Sequence, residues 1–437
     1  MDIKKCLSGI FLLSIFTLAS SFAQDTLRLS RQQSEIKFLE ENLLLLAEKL
    51  NIPQAEALTM QAKLWPNPTL ELDEINIGTS VNGLNGTGYF GEGLPPILGN
   101  FGRNQQISAS IEQLVQTAGK RKKLVDMEKV NEAIAEQYFQ DLLRALKLEF
   151  RNSLSDLQYL QFSRKLYRSQ LESVRQLSGA YKNQVELGNV SKGEYIRLKA
   201  AELEIAKQIN QLDDELHEEQ KDLKLLMNLP PEIYLVITDE GYERDIAQLE
   251  KMKLGELSHL AAEWRPDYKI EVLGLDYAQK NYLYERAQRI PDLAFKAGYD
   301  RGGNFLYNFF GVGLTMDLPV LNRNQGNIKH AEYTIKQAEL LSRYKAQEVE
   351  NEVILAWQNL QTSITLFREI DPDYEHTLDK LLESYISNFK NRDIGMLTFL
   401  DFLEAYLENK TIILENKLKI QKKAEELNFT LGTDLFN

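Results

Sequence analysis

The chain repeats itself, and that repeat restricts its fold more than any other feature. YKNQVELGNVSKGEYIRLKAAELE, starting at Tyr181, aligns without gaps on YISNFKNRDIGMLTFLDFLEAYLE, starting at Tyr385, at an offset of about 204 residues. Tyr181/Tyr385, Val190/Ile394, Tyr195/Phe399, Ala201/Ala405, Leu203/Leu407 and Glu204/Glu408 coincide. Upstream, ISASIEQLV from Ile107 matches VGLTMDLPV from Val312 at nearly the same offset, and AKLWPNP from Ala62 matches AQRIPDL from Ala287 at about 225. The extra residues of the first copy fall in the Gly-rich stretch 78–102. The sequence therefore reads as one unit written twice, over residues 24–240 and 241–437, which makes the fold of that unit the first question.

Each unit reads as helix, strand, strand, very long helix, tight turn, helix. Strands are expected at about 69–77 and 104–115 in the first unit, and at about 292–300 and 307–319 in the second. Leu293, Phe295, Ala297 and Tyr299 share one face of their strand; Phe310, Val312, Leu314 and Met316 alternate with Gly311, Gly313, Thr315 and Asp317. One apolar and one small or polar face is the pattern of a lipid-contacting barrel wall, so Leu293, Phe295, Phe310, Val312, Leu314 and Met316 are the candidate lipid-facing residues. Trp65, Tyr89, Phe90, Phe101, Tyr299, Phe305 and Tyr307 flank these strands as an interfacial girdle would. Four strands cannot close a barrel, whose smallest form takes about eight, so several chains would have to share one.

The helical regions carry a seven-residue period. Leu146, Leu160, Tyr167 and Val174 lie on one series; Phe150, Leu157 and Leu171 lie on its companion. In the second unit Val353, Leu360, Phe367, Tyr374 and Leu381 continue without a polar member. Such spacing packs helices side by side as in a coiled coil. Long helices are expected at about 123–185 and 325–388, the second kinked by Pro372, with return helices at about 192–227 and 396–428. A further helix, at about 43–64, precedes the first strand. At 1.5 Å per residue the first long helix runs about 95 Å, close to the summed length of its return helix and the helix before the strands.

Residues 1–23 read as an export signal: Lys4 and Lys5, an apolar run from Ile10 to Ala19, then Ser21-Phe22-Ala23 before Gln24. The chain's single cysteine, Cys6, lies inside that segment, which leaves the mature sequence without thiol chemistry. A net charge of −13 argues against nucleic acid as a partner. The sequence has no apolar stretch of the roughly 18 residues that a helical span requires, so membrane insertion would have to use closed β-strands. His217, His259, His330 and His376 are scattered, without ligand spacing, and read as surface or packing residues. No residue constellation for catalysis or for a cofactor stands out, and the chain is read as neither an enzyme nor a metal site.

LWPNPTLEL before the first strand, TAGKRKKL after the second, LPVLNRNQGNIKHAE after the fourth, and the turn LGNVSKGEYIRL together resemble the TolC-type outer-membrane efflux family. They are most similar to its CzcC/CusC-like branch. The resemblance spans nearly the whole mature chain. It implies a mainly α fold with two short β-hairpins in a duplicated unit. It also implies a homotrimer that joins a helical periplasmic tunnel to a twelve-stranded outer-membrane barrel. The implied partners are a periplasmic adaptor, an inner-membrane pump of the RND type, and outer-membrane lipid. The chain departs from several members in lacking a lipidated N-terminal cysteine.

The two turns, at 186–192 and 389–396, are the candidate adaptor-docking tip: Gly188, Asn189, Val190 and Ser191 in the first, Asp393, Ile394 and Gly395 in the second. Ser191 and Glu194 have capping-box spacing. Val190 and Ile394 are expected to be exposed there. Asp393, Asp401 and Glu404 are the candidate acidic gate, since a ring of carboxylates favours cations. Two other readings stay open: a type I secretion duct of the same fold, and a periplasmic coiled-coil scaffold.

Overall fold

An apolar seven-residue period can bury itself only against neighbouring helices, and helices make up most of what this sequence builds. The computed structural model describes residues 25–73, 106–239, 254–302 and 306–435. The export signal, the stretch 78–102, and Tyr89, Phe90, Phe101 and Phe305 lie outside them. The elements begin with β1 (Thr26–Leu29), α1 (Arg31–Glu41), α2 (Leu43–Lys49), α3 (Asn51–Ala62), β2 (Thr69–Asp73) and β3 (Gln106–Val115). Next come α4 (Lys120–Glu186), α5 (Lys192–Leu226), β4 (Tyr234–Ile237), α6 (Leu254–Trp264) and α7 (Pro266–Ala287). The chain closes with β5 (Leu293–Gly302), β6 (Leu306–Thr315), α8 (Gln325–Arg368), α9 (Tyr374–Lys390) and α10 (Met396–Leu431). Two compact units divide it: Met1–Ala47, Asp141–Arg265 and Val349–Asn437 form one, Glu48–Gln140 and Pro266–Glu348 the other.

In the first of these units the heptads are the core. Leu146, Phe150, Leu157, Leu160, Leu171 and Val174 of α4 are all buried, as are Leu198, Ile205, Ile209, Leu212 and Leu216 of α5. α4 is unbroken over 67 residues. The second long helix is not, and here the expectation of a mere kink needs correction. Residues 369–373 leave the helix altogether, ending α8 and starting α9 anew. Pro372 lacks the N–H that the helix needs and disfavours α geometry at Asp371. The Asp371 carboxylate then accepts from Asp373 N at 2.9 Å, stabilising the turn. The interruption also resets the heptad: Tyr374 and Leu381 stay exposed, while Leu378, Leu382 and Phe389 are buried in their place.

Two elements of this unit were not expected. Ser30 caps α1 through a reciprocal capping box with Gln33. β1 pairs in parallel with β4, Thr26 opposite Tyr234 through Leu29 opposite Ile237. Gln220 fastens that ribbon to α5 by bonding both the N–H and the carbonyl of Leu235. Asn42, only 2% exposed, both caps α2, accepting from Leu45 N at 2.9 Å, and donates to the Leu226 carbonyl at 2.8 Å.

The other unit is organised around one antiparallel sheet in the order β2-β3-β5-β6. β2 pairs with β3 and β5 with β6, and β3 pairs with β5 across ten positions, Gln106 opposite Gly302 to Val115 opposite Leu293. The helix expected at about 43–64 is here α2 and α3, separated only at Leu50, which keeps helical dihedrals (φ −72, ψ −16). Pro53 is the reason, because it offers no N–H to the carbonyl four residues back. Thr117 and Lys120 anchor the start of α4 to the sheet, both bonding Asp292 Oδ1, at 2.9 and 2.8 Å.

Candidate functional site

Opposite residues of an antiparallel ladder share a face, so the register of the sheet sorts its side chains. Leu70, Ile111, Ala297 and Val312 form one cross-strand row; Leu72, Ala109, Tyr299 and Phe310 form the next. Phe295 and Leu314 follow on the same face, where the rings of Tyr299 and Phe310 meet at 5.0 Å. The opposite face carries Thr69, Glu71, Ser110, Glu112, Lys296, Gly298, Gly311 and Gly313. There Lys296 reaches over Ser110 to Glu71, Nζ to Oε2 at 2.6 Å, an ion pair that spans three strands.

Among the described residues nothing packs over the centre of the apolar face: Val312 is 93% exposed and Phe310 78%. Phe295 and Leu314 are also exposed, Leu293 half-buried. Met316 requires a correction, because β6 ends at Thr315 and leaves it just past the strand. The edges of the sheet, β2 and β6, each have one unpaired side among the described residues.

The two turns are built by the same backbone hydrogen bonds. After α4, Gly188 N donates to Val185 O at 3.0 Å and Asn189 N to Gln184 O at 2.9 Å. After α9, Arg392 N donates to Phe389 O at 3.1 Å and Asp393 N to Asn388 O at 2.9 Å. Both are Schellman closures, which put one residue in the left-handed region. Gly188 takes that position with φ +73 in the first turn, and Arg392 with φ +70 in the second. The residues that start the return helices differ too. Ser191 makes the expected capping box, accepting from Glu194 N at 3.2 Å, whereas Gly395 has no side chain to cap with.

These turns lie side by side. Arg392 Nη2 donates to Gln184 Oε1 at 3.5 Å, and parallel rings of Tyr181, Phe389 and Phe399 stack at 5.2 and 4.6 Å. Burial pushes the Tyr181 phenol above its ordinary value, with the Glu194 carboxylate adding to the effect and Arg392 opposing it. Val190 and Ile394 were expected to be exposed, and this is not what the structure shows. Both are half-buried, and Ile394 packs against the core that includes Phe389, Met396 and Phe399. The apolar side chains that do stand in water beside the turns are Leu187, 70% exposed, and Leu397, 64% exposed. They lack the β-branching that singles out Val190 and Ile394, so no residue pattern marks them in advance.

Asp393, Asp401 and Glu404 are all exposed, the last two one helical turn apart on α10. Among the described residues no three His, Cys, Asp or Glu side chains gather as a metal site. All four histidines are exposed. No helix of the described residues is long and apolar enough to cross a membrane.

Solved structures carry the same arrangement of elements. CusC superposes with a TM-score of 0.71 at 17% identity, over 96% of each chain. The chain has the fold of the TolC-type outer-membrane channels. The open-state MtrE outer-membrane channel of Neisseria gonorrhoeae gives 0.68 at 14% identity, again over 96% of each chain. VceC, an outer-membrane protein of Vibrio cholerae, gives 0.67 at 15%, over 92% of this chain and 96% of its own. No protein-family profile matches the sequence, and no curated protein does. The TolC-like fold thus accounts for the mainly helical architecture and for the few short strands.

Proposed function

We propose that the chain is the exit duct of a tripartite efflux system. Three copies close a twelve-stranded barrel in the outer membrane of a Gram-negative bacterium and extend a helical tunnel into the periplasm. A periplasmic adaptor and an inner-membrane pump of the RND type deliver the cargo, a heavy-metal ion or a drug, and the duct conducts it passively.

One observation carries this reading: a four-stranded sheet whose apolar face, with Val312 93% exposed, finds no partner among the described residues. Lipid is the solvent that such a face fits, and only barrel closure satisfies its two edges there. A periplasmic scaffold would explain the heptads but not this face. On the same reading Gly188–Ser191 and Asp393–Gly395 form the end that meets the adaptor. Asp393, Asp401 and Glu404, repeated around a threefold axis, favour cations at the entrance.

Fractionation of cells tests the proposal. The protein is expected in the outer membrane and, in detergent, at three times the mass of one chain. Val312→Arg should block that assembly, because an arginine on a lipid-facing strand costs up to about 2–4 kcal/mol at mid-depth. Recovery of the unaltered chain as a soluble periplasmic monomer overturns the reading. The genes adjacent to this one separate efflux from type I secretion, through the class of pump they encode.

A further inference from the structure

At the junction between the sheet and α4 lies a cleft of about 400 Å³ whose charge runs against that of the whole chain. Lys63, Arg121, Lys122 and Lys129 line it, with Asp126 as their one acidic neighbour, in a protein of net charge −13. Its remaining wall includes Trp65, which is itself half exposed. Arg121 is fixed in place: its guanidinium lies 3.8 Å from the centre of the Trp65 ring and donates to the Lys63 carbonyl at 3.3 Å. That leaves most of its five donors unspent. Lys63, Lys122 and Lys129 are exposed and make no ion pair with another described residue. α4 begins at Lys120, so the cleft also receives the positive end of a 67-residue helix.

We propose that this cleft binds the phosphate of an anionic phospholipid headgroup. The assignment rests on the outer-membrane reading above, and three features support it. A planar guanidinium flanked by flexible ammonium groups is the donor set that phosphate takes up. The cleft sits where the chain enters β2 and leaves β3, which in a lipid-embedded sheet is the level of the headgroups. Trp65 is the residue type that settles at that level, its ring in the apolar boundary and its N–H toward water. The second copy of the sequence has no such cleft chemistry: Gln288 and Ile290 stand where Lys63 and Trp65 stand in the first. Each chain therefore holds one site.

The chain has three tryptophans, so Trp264→Phe with Trp357→Phe leaves Trp65 as the sole reporter. This variant is reconstituted into phosphatidylcholine vesicles containing a small fraction of phosphatidylglycerol, with bromine on the acyl chains of one lipid or the other. Quenching by brominated phosphatidylcholine reports that Trp65 borders the bilayer, and its absence overturns the membrane reading itself. Quenching by brominated phosphatidylglycerol is expected to exceed its share of the lipid. Lys63→Gln, Lys122→Gln and Lys129→Gln together should remove that excess, since each cation near an anionic surface strengthens binding about fivefold. Equal quenching per lipid by the two headgroups in the unaltered site overturns the cleft proposal while leaving the membrane reading intact. Loss of the excess on addition of millimolar inorganic phosphate would assign the site to free phosphate and overturn the lipid assignment.

Discussion

Gly432 lies directly on the backbone of Arg265. A Cβ built at Gly432 would stand 2.8 Å from Arg265 Cα and 2.9 Å from its N, and Gly432 itself has φ +75. Two requirements thus meet at one residue, the left-handed cap of α10 and the close approach of a second chain segment. Arg265 is 2% exposed and bonds Glu352 and the Thr430 carbonyl, so it cannot move aside without unpairing a buried cation.

Gly432→Ala is therefore expected to destabilise the protein by about 2 kcal/mol or more, beyond the roughly 1 kcal/mol of left-handed geometry alone. Chemical denaturation measures this. A loss under about 1 kcal/mol would mean that the segments separate easily.

The turn after α9 makes the opposite prediction. Arg392 occupies with φ +70 the position that Gly188 occupies with φ +73 in the other turn. Arg392→Gly should stabilise by about 0.5–1 kcal/mol, and Gly188→Ala should cost about 1 kcal/mol. Among the described residues the one side-chain bond lost with Arg392 is the long, exposed one to Gln184, which contributes little. Melting curves of both variants against the unaltered protein decide the point.

A buried ionic network sets the response to acid. Arg151, 8% exposed, bonds Glu35, Glu425 and Asp434, and Lys147 also reaches Asp434. Burial alone would lower the Arg151 guanidinium, but its three acidic partners more than reverse this and hold it above its ordinary value. Burial would likewise raise the Asp434 carboxyl, yet Arg151 and Lys147 hold it below the usual range. A depressed carboxyl contributes stability that is complete above the unfolded value of about 3.9 and is lost as pH falls through the folded one. Stability should thus drop as pH is lowered below about 4, and Asp434→Asn should flatten that drop. The same variant is expected to cost about 1–3 kcal/mol at neutral pH, by leaving a buried cation short of a partner. Denaturant midpoints across pH, compared for the two proteins, test both statements.

The exposed leucines beside the turns give the cleanest probe of adaptor docking. Leu187→Asp with Leu397→Asp should leave the chain's stability within about 0.5 kcal/mol per site, since neither side chain is buried. Efflux and crosslinking to the adaptor should both be lost. Ile394→Asp would confuse the result, because that residue contributes to the core. Normal crosslinking by the leucine variant would move the docking surface elsewhere.

Periodic features were legible from the residues alone. Alternation placed β3, β5 and β6 within about three residues at most boundaries, and the heptad of α4 named the side chains that are buried. The capping box at Ser191 was legible because four consecutive residues encode it. Ser30 and Gln33 carry the same signal at α1. What stayed hidden depends on partners remote in sequence. β1 and β4 are four residues each and meet across most of a repeat, with no local pattern to join them. Arg151 sits at a heptad flank and looks solvated until Glu35, Glu425 and Asp434 converge on it. The partial burial of Ile394 stays hidden because the cluster it packs against joins α9 and α10 to residues of α4 and α5, far away in the sequence.

The margins of β2 and β6, unpaired among the described residues, bear on the order of events in the life of this protein. On the proposed reading, a lone sheet cannot enter hydrocarbon, where every unsatisfied backbone group costs several kcal/mol, nor can it rest in water with Val312 and Phe310 bare. Neither solvent accepts the single chain, so meeting other copies must come before or together with insertion. Biogenesis is then second order or higher in chain concentration at the step that matters, and a newly exported copy depends on an escort for as long as it waits. Scarcity, more than misfolding, is the hazard that such a chain faces.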